Sequence, residues 1–278
     1  MIKGKKVLAV IPARGGSKRL PEKNIVDFLG KPMIAWTIES ALNSKYIDRV
    51  IVSTDSNDIS SISKQYGANV PFIRPSDLSN DDSKSVDVAL HAINALKVQG
   101  DCYDFVILLQ PTSPYRNSSH IDGAIQIVIS NNANSVISVT KAKHSPLWMN
   151  TIPKNGSMDG FIHKSIANKR SQDLPVYYQL NGAIYLCNVK NLVEERTFFT
   201  KEKSFSFQMD TDNICIERFW RSAKVERIYL TINDLTTDVD DYIEFYNHRR
   251  FHQTLDYKNP MDVYQESIKL NQNKKKAS

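Results

Sequence analysis

KKVLAVIPARGGSKRLPEKN, residues Lys5 to Asn24, sets an unbroken apolar run between charges and follows it with a glycine-rich basic segment. A run this short and continuous suits a parallel strand covered on both faces, and the paired glycines behind it suit a tight loop at the strand's end. Further along, MIAWTIESALNS places Ile34, Ile38 and Leu42 at helical spacing, and RVIVSTD reads as a second strand ending in Asp55. NDISSISKQYG continues as a helix that stops at Gly67, NVPFIRP is extended, and SKSVDVALHAINALKVQG is a long amphipathic helix. DFVILLQPTSP gives another buried strand broken by Pro111 and Pro114, followed by a helix at IDGAIQIVISN and a strand at SVISVTKA. Strands alternating with helices predict an α/β, doubly wound, mostly parallel sheet that takes ligands at the carboxyl ends of its strands. From about residue 144 to 178 the pattern weakens into a polar, loop-rich inserted arm, before QLNGAIYLCN resumes a strand.

The 278 residues are 41% hydrophobic and 24% charged, enough apolar surface for a core, so disorder of the whole chain is excluded. VLAVIPA is too short to cross a bilayer, and the basic loop behind it offers no signal cleavage site, so a soluble cytoplasmic protein is expected. Cys102, Cys187 and Cys215 are odd in number and widely spaced, which predicts reduced thiols rather than a disulfide framework or a metal knuckle. The net charge is +6, with residues 1–210 holding 25 Lys and Arg against 19 Asp and Glu, while the remainder is balanced at 11 of each. That excess suits an anionic small substrate, or equally a solvated surface.

In the loop from Arg14 to Asn24, Gly15 and Gly16 let backbone N–H groups approach a polyphosphate, and Arg14, Lys18 and Lys23 can offset charge as pyrophosphate separates. The spacing matches neither G-x-x-x-x-G-K-[ST] nor G-x-G-x-x-G, which leaves a basic surface turn as the other reading. Five motifs in order, IPARGGSKRLPEKNI, VIVSTDS, FIRPSDLSNDDSKSVDV, LLQPTSPYR and LNGAIY, resemble those of bacterial acylneuraminate cytidylyltransferases, from about Lys5 to Asp210. The resemblance implies a nucleotide-diphospho-sugar transferase-like fold and transfer of CMP from CTP to a nonulosonic acid, with Mg²⁺ as cofactor and pyrophosphate leaving. It implies that Arg14, Gly15, Gly16, Ser17, Lys18, Lys23, Asn24, Arg74 and Ser83 serve the nucleotide, with Arg14, Lys18 and Lys23 acting in catalysis. Gln110, Asn181, Tyr185, Phe198 and Phe199 would enclose the sugar, and Arg170 would reach a neighbouring subunit's site from the arm, which implies a homodimer. Gln179 departs from the pattern where some relatives carry a basic residue, and a 3-deoxy-manno-octulosonate cytidylyltransferase shares the early loop.

Past residue 209 the sequence changes character. The family's metal-binding D-x-D segment does not follow, and DNICIERFWRSAKVERIYL with YIEFYNHRRFHQTLDYKNPMDVY resembles the end of an IS3-type insertion-sequence transposase. The expected organisation is a cytidylyltransferase domain at 1–210, a transposase-like fragment at 211–265 and a disordered tail at 266–278. Glu217 matches one of the three carboxylates such a transposase uses, but one carboxylate cannot hold two metals. The balanced charge also argues against strong binding to a phosphate backbone, with weak DNA contact by NHRRFH as the alternative. Asp210 and Asp212 form a D-x-D of their own that could hold Mg²⁺, with a solvated turn as the alternative. An inactive fusion, or a DNA-binding remnant, is the rival to the enzyme.

Overall fold

The computed structural model describes residues 4–17 and 21–210, which lie within one compact unit from Met1 to Ile216. Six strands form one sheet: β1 (Val7–Pro12), β2 (Arg49–Ser53), β3 (Phe105–Leu108), β4 (Ser135–Lys141), β5 (Tyr178–Asn188) and β6 (Ser204–Met209). Their order is β2-β1-β3-β5-β4-β6. β1 pairs parallel with β2 and β3, β4 pairs parallel with β6, and β5 runs antiparallel to both β3 and β4. The mostly parallel sheet expected from the sequence is therefore present, with β5 as its reversed strand. The reversal follows from connectivity: no helix carries the chain back across the sheet after β4, so it re-enters from the end at which β4 left.

Helices α1 (Met33–Leu42), α2 (Asn57–Gln65), α3 (Ser85–Val98), α4 (Ser118–Asn131) and α5 (Val189–Glu195) cover the two faces. Alternation along β1 divides the core. Val7, Ala9 and Ile11 pack with Ile34 and Ile38 of α1 and Ile121 and Ile125 of α4, whereas Leu8 and Val10 pack with Ala89, Ile93 and Leu96 of α3. Burial on both faces is why β1, β2 and β3 read as continuous apolar runs.

Local signals fix the helix ends. Ser56 caps α2 by accepting from the Ile59 N–H, with Asp58 in the first turn and Lys64 in the last. Asn117 caps α4 reciprocally: its side chain accepts from the His120 N–H at 3.0 Å, and His120 Nδ1 accepts from the Asn117 N–H at 3.2 Å. Leu42 departs from the expected buried face of α1. It is 47% exposed, and Met33, Ala35, Thr37 and Ala41 complete that face with Ile34 and Ile38. Leu42 instead lies over Gly67, whose φ of +91° would strain any other residue and where a built Cβ would press on Leu42 Cδ1 at 3.1 Å.

The segment 69–75 is extended, as expected, but forms no strand of the sheet: isolated bridges join Asn69 to Ile51 of β2 and Ile73 to Thr54 just beyond it, and Arg49 Nε donates to Asn69 Oδ1 at 3.0 Å. The arm between β4 and β5 contains two short 3₁₀ turns, Pro146–Trp148 and Ser171–Asp173, and is mostly exposed. Among the described residues, no helix is long and apolar enough to cross a membrane.

Candidate active site

The loop behind β1 is held by carboxylates from two other segments. Asp55, at the end of β2, accepts from the Gly15 N–H at 2.9 Å, and Asp81 accepts from Arg14 Nη2 at 2.5 Å. Asn24, 5% exposed, donates its amide to the Arg14 carbonyl at 2.9 Å, and Ser17 turns back to donate to the Gly15 carbonyl at 2.9 Å. Gly15 is required by close approach, since a Cβ there would stand 3.0 Å from Ser56 Cβ at the start of α2. Gly16 faces open space, and Lys23 is half-buried. Lys18 lies outside the described residues.

Arg74 extends this site beneath the surface. It is 4% exposed, its Nη2 stands 3.8 Å from Asp55 Oδ1, and Nε and Nη2 find no hydrogen-bond partner among the described residues. Burial lowers its pKa, the nearby Asp55 carboxylate opposes that, and Arg14 lowers it further. Two guanidinium groups thus feel each other's charge beside a glycine loop, an arrangement that attracts an anion. Ser83 donates to Asn80 Oδ1 at 2.8 Å and to the Asp77 carbonyl at 3.2 Å, ordering the turn that carries Asp81.

A cavity of about 330 Å³ gathers four of the residues expected around the sugar: Gln110, Tyr185, Phe198 and Phe199. The Tyr185 and Phe198 rings are tilted at 5.6 Å, with Phe198 buried and Phe199 exposed. Gly182, at φ +76°, leaves room for the Gln110 amide, whose Oε1 would stand 3.4 Å from a Cβ at that position. The remaining wall is Lys84, Ser85, Val86, Arg196 and Thr197, none of which the sequence reading singled out. Lys84 followed a recognised serine and Arg196 preceded a recognised aromatic pair, so adjacency was the available signal.

Asn181 is not on that wall. Its Oδ1 accepts from Ser138 Oγ at 2.5 Å and from the Ala183 N–H at 3.1 Å, and its amide faces Met209 Sδ at 3.3 Å, tying β5 to β4 and β6. Arg170 is exposed at the start of the second 3₁₀ turn of the arm.

The sequence reading missed Arg116, which holds the floor of the site. It is 1% exposed, and it donates to the Gln110 carbonyl at 3.1 Å, the Ala183 carbonyl at 2.8 Å and Thr37 Oγ1 at 2.8 Å. Burial lowers its pKa to about 9, which leaves it cationic at neutral pH. The tip of β3 is thereby fastened to β5 and α1, and Gln110 with it.

Among the described residues no group of three or more His, Cys, Asp or Glu side chains converges as a metal site. Magnesium requires less, since one or two carboxylates with substrate phosphates and water complete its octahedron. Asp210, exposed at the end of β6, is a donor of that kind, and its charge raises the pKa of His120 against the larger lowering by burial. Asp212, Glu217 and the expected tail segments lie outside the described residues.

The sheet order, the reversed strand and the glycine loop define the class: a nucleotide-diphospho-sugar transferase-like α/β fold. Two solved structures share it. A CMP:2-keto-3-deoxy-manno-octonic acid synthetase complexed with CTP superimposes with a TM-score of 0.56 at 19% identity, covering 80% of this chain and 100% of that one. The 4-diphosphocytidyl-2C-methyl-D-erythritol synthase of Anaerococcus prevotii gives 0.56 at 17% identity, covering 81% and 98%. The chain belongs to the cytidylyltransferase family, whose model, described as Cytidylyltransferase, matches residues 8–244. A CMP-N,N'-diacetyllegionaminic acid synthase of Legionella pneumophila is 38% identical over 202 residues, covering 70% of this chain and 84% of that protein. A pseudaminic acid cytidylyltransferase of Campylobacter jejuni is 38% identical over 210 residues, covering 76% and 90%. An N-acylneuraminate cytidylyltransferase of Escherichia coli is 35% identical over 210 residues, or 75% of this chain and about half, 48%, of that longer protein.

Proposed function

We propose that this chain transfers CMP from CTP to a nonulosonic acid and releases pyrophosphate. The observation that carries this is Arg74: a buried guanidinium whose Nε and Nη2 have no hydrogen-bond partner among the described residues, with Asp55 only at ion-pair distance and the charge of Arg14 acting on it, beside the glycine loop of a cytidylyltransferase. A triphosphate supplies the missing acceptors. The anomeric hydroxyl of the acid attacks the α-phosphorus, a new P–O bond forms as the hydroxyl gives up its proton to solvent, and the bond to the β-phosphate breaks, its electron pair leaving with pyrophosphate. Charge spreads over the phosphate oxygens in such a step, so positioning and cations dominate catalysis.

Arg14, Lys18 and Lys23 offset that charge. The phosphates displace Asp55 and Asp81 from the loop and take the Gly15 N–H that Asp55 holds, with Gly16 beside it and Ser17 turning the loop back on the Gly15 carbonyl. Asn24 holds the loop's shape through the Arg14 carbonyl, while Ser83 orders the facing turn. Gln110, Tyr185, Phe198 and Phe199 receive the sugar, with Asn181 acting through the β5 backbone it anchors. Magnesium, when bound, neutralises phosphate oxygens. Asp210 is the described member of the Asp210 and Asp212 pair that would hold it.

The active form is a homodimer in which Arg170 reaches the other subunit's sugar. Exposed Met149, Ile152 and Met158 on the arm, with Val176, Tyr178 and Leu180 at its return, give that surface the apolar character of an interface. The residues beyond 210 are a transposase-like replacement of the native end, although the family match runs on to residue 244.

The test is CTP with N,N'-diacetyllegionaminic, pseudaminic, N-acetylneuraminic and 3-deoxy-manno-octulosonic acids, read by mass spectrometry of the CMP-sugar, for the full chain and for one ending at residue 216. Turnover of a nine-carbon acid by both supports the reading. Turnover of the eight-carbon acid alone would transfer it to the octulosonate type. CTP binding without any product would make the chain an inactive fusion.

A further inference from the structure

We propose that Lys84 and Arg196 form the subsite for the carboxylate of the acid, a role that rests on the function proposed above. Such a substrate brings one negative charge, a carboxylate bonded to the carbon that bears its reacting hydroxyl. The cavity that gathers Gln110, Tyr185, Phe198 and Phe199 contains two cations, Lys84 and Arg196, and no Asp or Glu on its wall. Aromatic walls with two cations and a single carboxylate, Asp87, behind one of them suit an acylated acid better than a neutral sugar.

The backbone places both cations. Lys84 is the N-cap residue of α3, whose first residues Ser85 and Val86 also line the cavity. No side chain caps that helix among the described residues, so its positive end adds to the field of the ammonium group. The turn that leads into Lys84 carries Asp81, which accepts from Arg14 of the phosphate loop, so this end of α3 adjoins the nucleotide loop. That is where the anomeric end of the acid must lie to meet the α-phosphate.

Arg196 ends α5 in the left-handed conformation, φ 51° and ψ 37°, with its N–H donating to the Leu192 carbonyl at 3.0 Å. Asp87 accepts from Arg196 Nη2 at 2.7 Å. A guanidinium has five donors and this contact uses one, so Asp87 directs the group while other donors remain for a ligand. The anchor is also needed. Gln179, directly before LNGAIY, is neutral and pairs with Thr140 on β4.

The experiment compares wild type, Lys84→Gln, Arg196→Gln and Arg196→Lys with the free acid and with its methyl ester, varying sugar at saturating CTP and CTP at saturating sugar. Thermal unfolding of each variant confirms that it is folded. Loss of one charge-assisted contact corresponds to about tenfold in affinity, so each glutamine variant should raise the sugar KM about tenfold and leave the CTP KM within about twofold. Arg196→Lys should fall between. Esterification should cost wild type about tenfold in kcat/KM and cost the glutamine variants little more, because the charge it removes is already unread. The inference is overturned if the glutamine variants keep the wild-type sugar KM, or if the ester costs them as much as it costs wild type. Failure of wild type with every free acid would instead remove the functional reading, and this inference with it.

Discussion

Two buried arginines separate binding from architecture. Arg116 places three donors on the Gln110 and Ala183 carbonyls and Thr37 Oγ1, and among the described residues only its Nε lacks a partner. Arg74 is buried almost as deeply, and among the described residues its Nε and Nη2 have no hydrogen-bond partner, Asp55 standing 3.8 Å from Nη2. Arg116→Met strands three acceptors and should cost about 3 kcal/mol in urea denaturation, whereas Arg74→Met removes an under-satisfied cation and should leave stability within about 1 kcal/mol. The CTP KM should show the reverse: a rise of at least about tenfold for Arg74→Met. Both arginines sit in proline-containing motifs, FIRP and PTSPYR, and the sequence could not tell them apart, because the partners of Arg116 come from strands and helices up to 79 residues away. Cys187 gives a pH test. Burial, and Glu195 after it, push its thiol from 9.0 up to about 12, so above pH 9 the unfolded chain releases a proton that the native state keeps. The unfolded state then binds fewer protons, and native stability falls between pH 9 and about 12. Wild type should lose more stability than Cys187→Ala between pH 8 and 10.5 in urea titrations; equal losses would contradict the buried thiol.

Between elements, α4 packs so closely on β6 that Gly123 has no room for a side chain: a Cβ would stand 2.8 Å from Phe207 Cε2. Gly123→Ala gains about 1 kcal/mol of helix propensity and loses about 1 to 3 by overpacking, so it should lower stability by about 1 kcal/mol, read as a lower unfolding midpoint. A raised midpoint would mean that Phe207 moves freely. The central strands were legible because burial writes itself into composition, as continuous runs in β1 to β3, whereas β6, buried mainly at Met209, carries no such run and was not read as a strand from its pattern. The direction of β5 was not legible. QLNGAIYLCN shows a strand, but only the return of the chain at the end where β4 left makes it antiparallel. The cavity wall was half legible for the same kind of reason: Phe198 and Phe199 were reached through the family resemblance, since an aromatic pair alone reads as core packing, while Lys84 and Arg196 are brought together by the Arg196 to Asp87 contact between α5 and α3.

For the whole molecule, the exposed apolar residues of the arm predict a dimer, so light scattering should give about twice the chain mass of 31.6 kDa. A monomer at micromolar concentration would remove the role given to Arg170. The glycine loop, Arg74 and the cavity all lie at one end of the sheet, carried by segments from Arg14 to Phe199, which is the reason to expect chemistry from this chain whatever follows residue 210. Phosphorus NMR of the full chain with CTP, magnesium and a nine-carbon keto acid follows that chemistry at its reacting atom. The account predicts a CMP phosphodiester signal and a pyrophosphate signal growing together in equal amounts as CTP disappears. CDP and inorganic phosphate in their place, or pyrophosphate with free CMP and no diester, would contradict it.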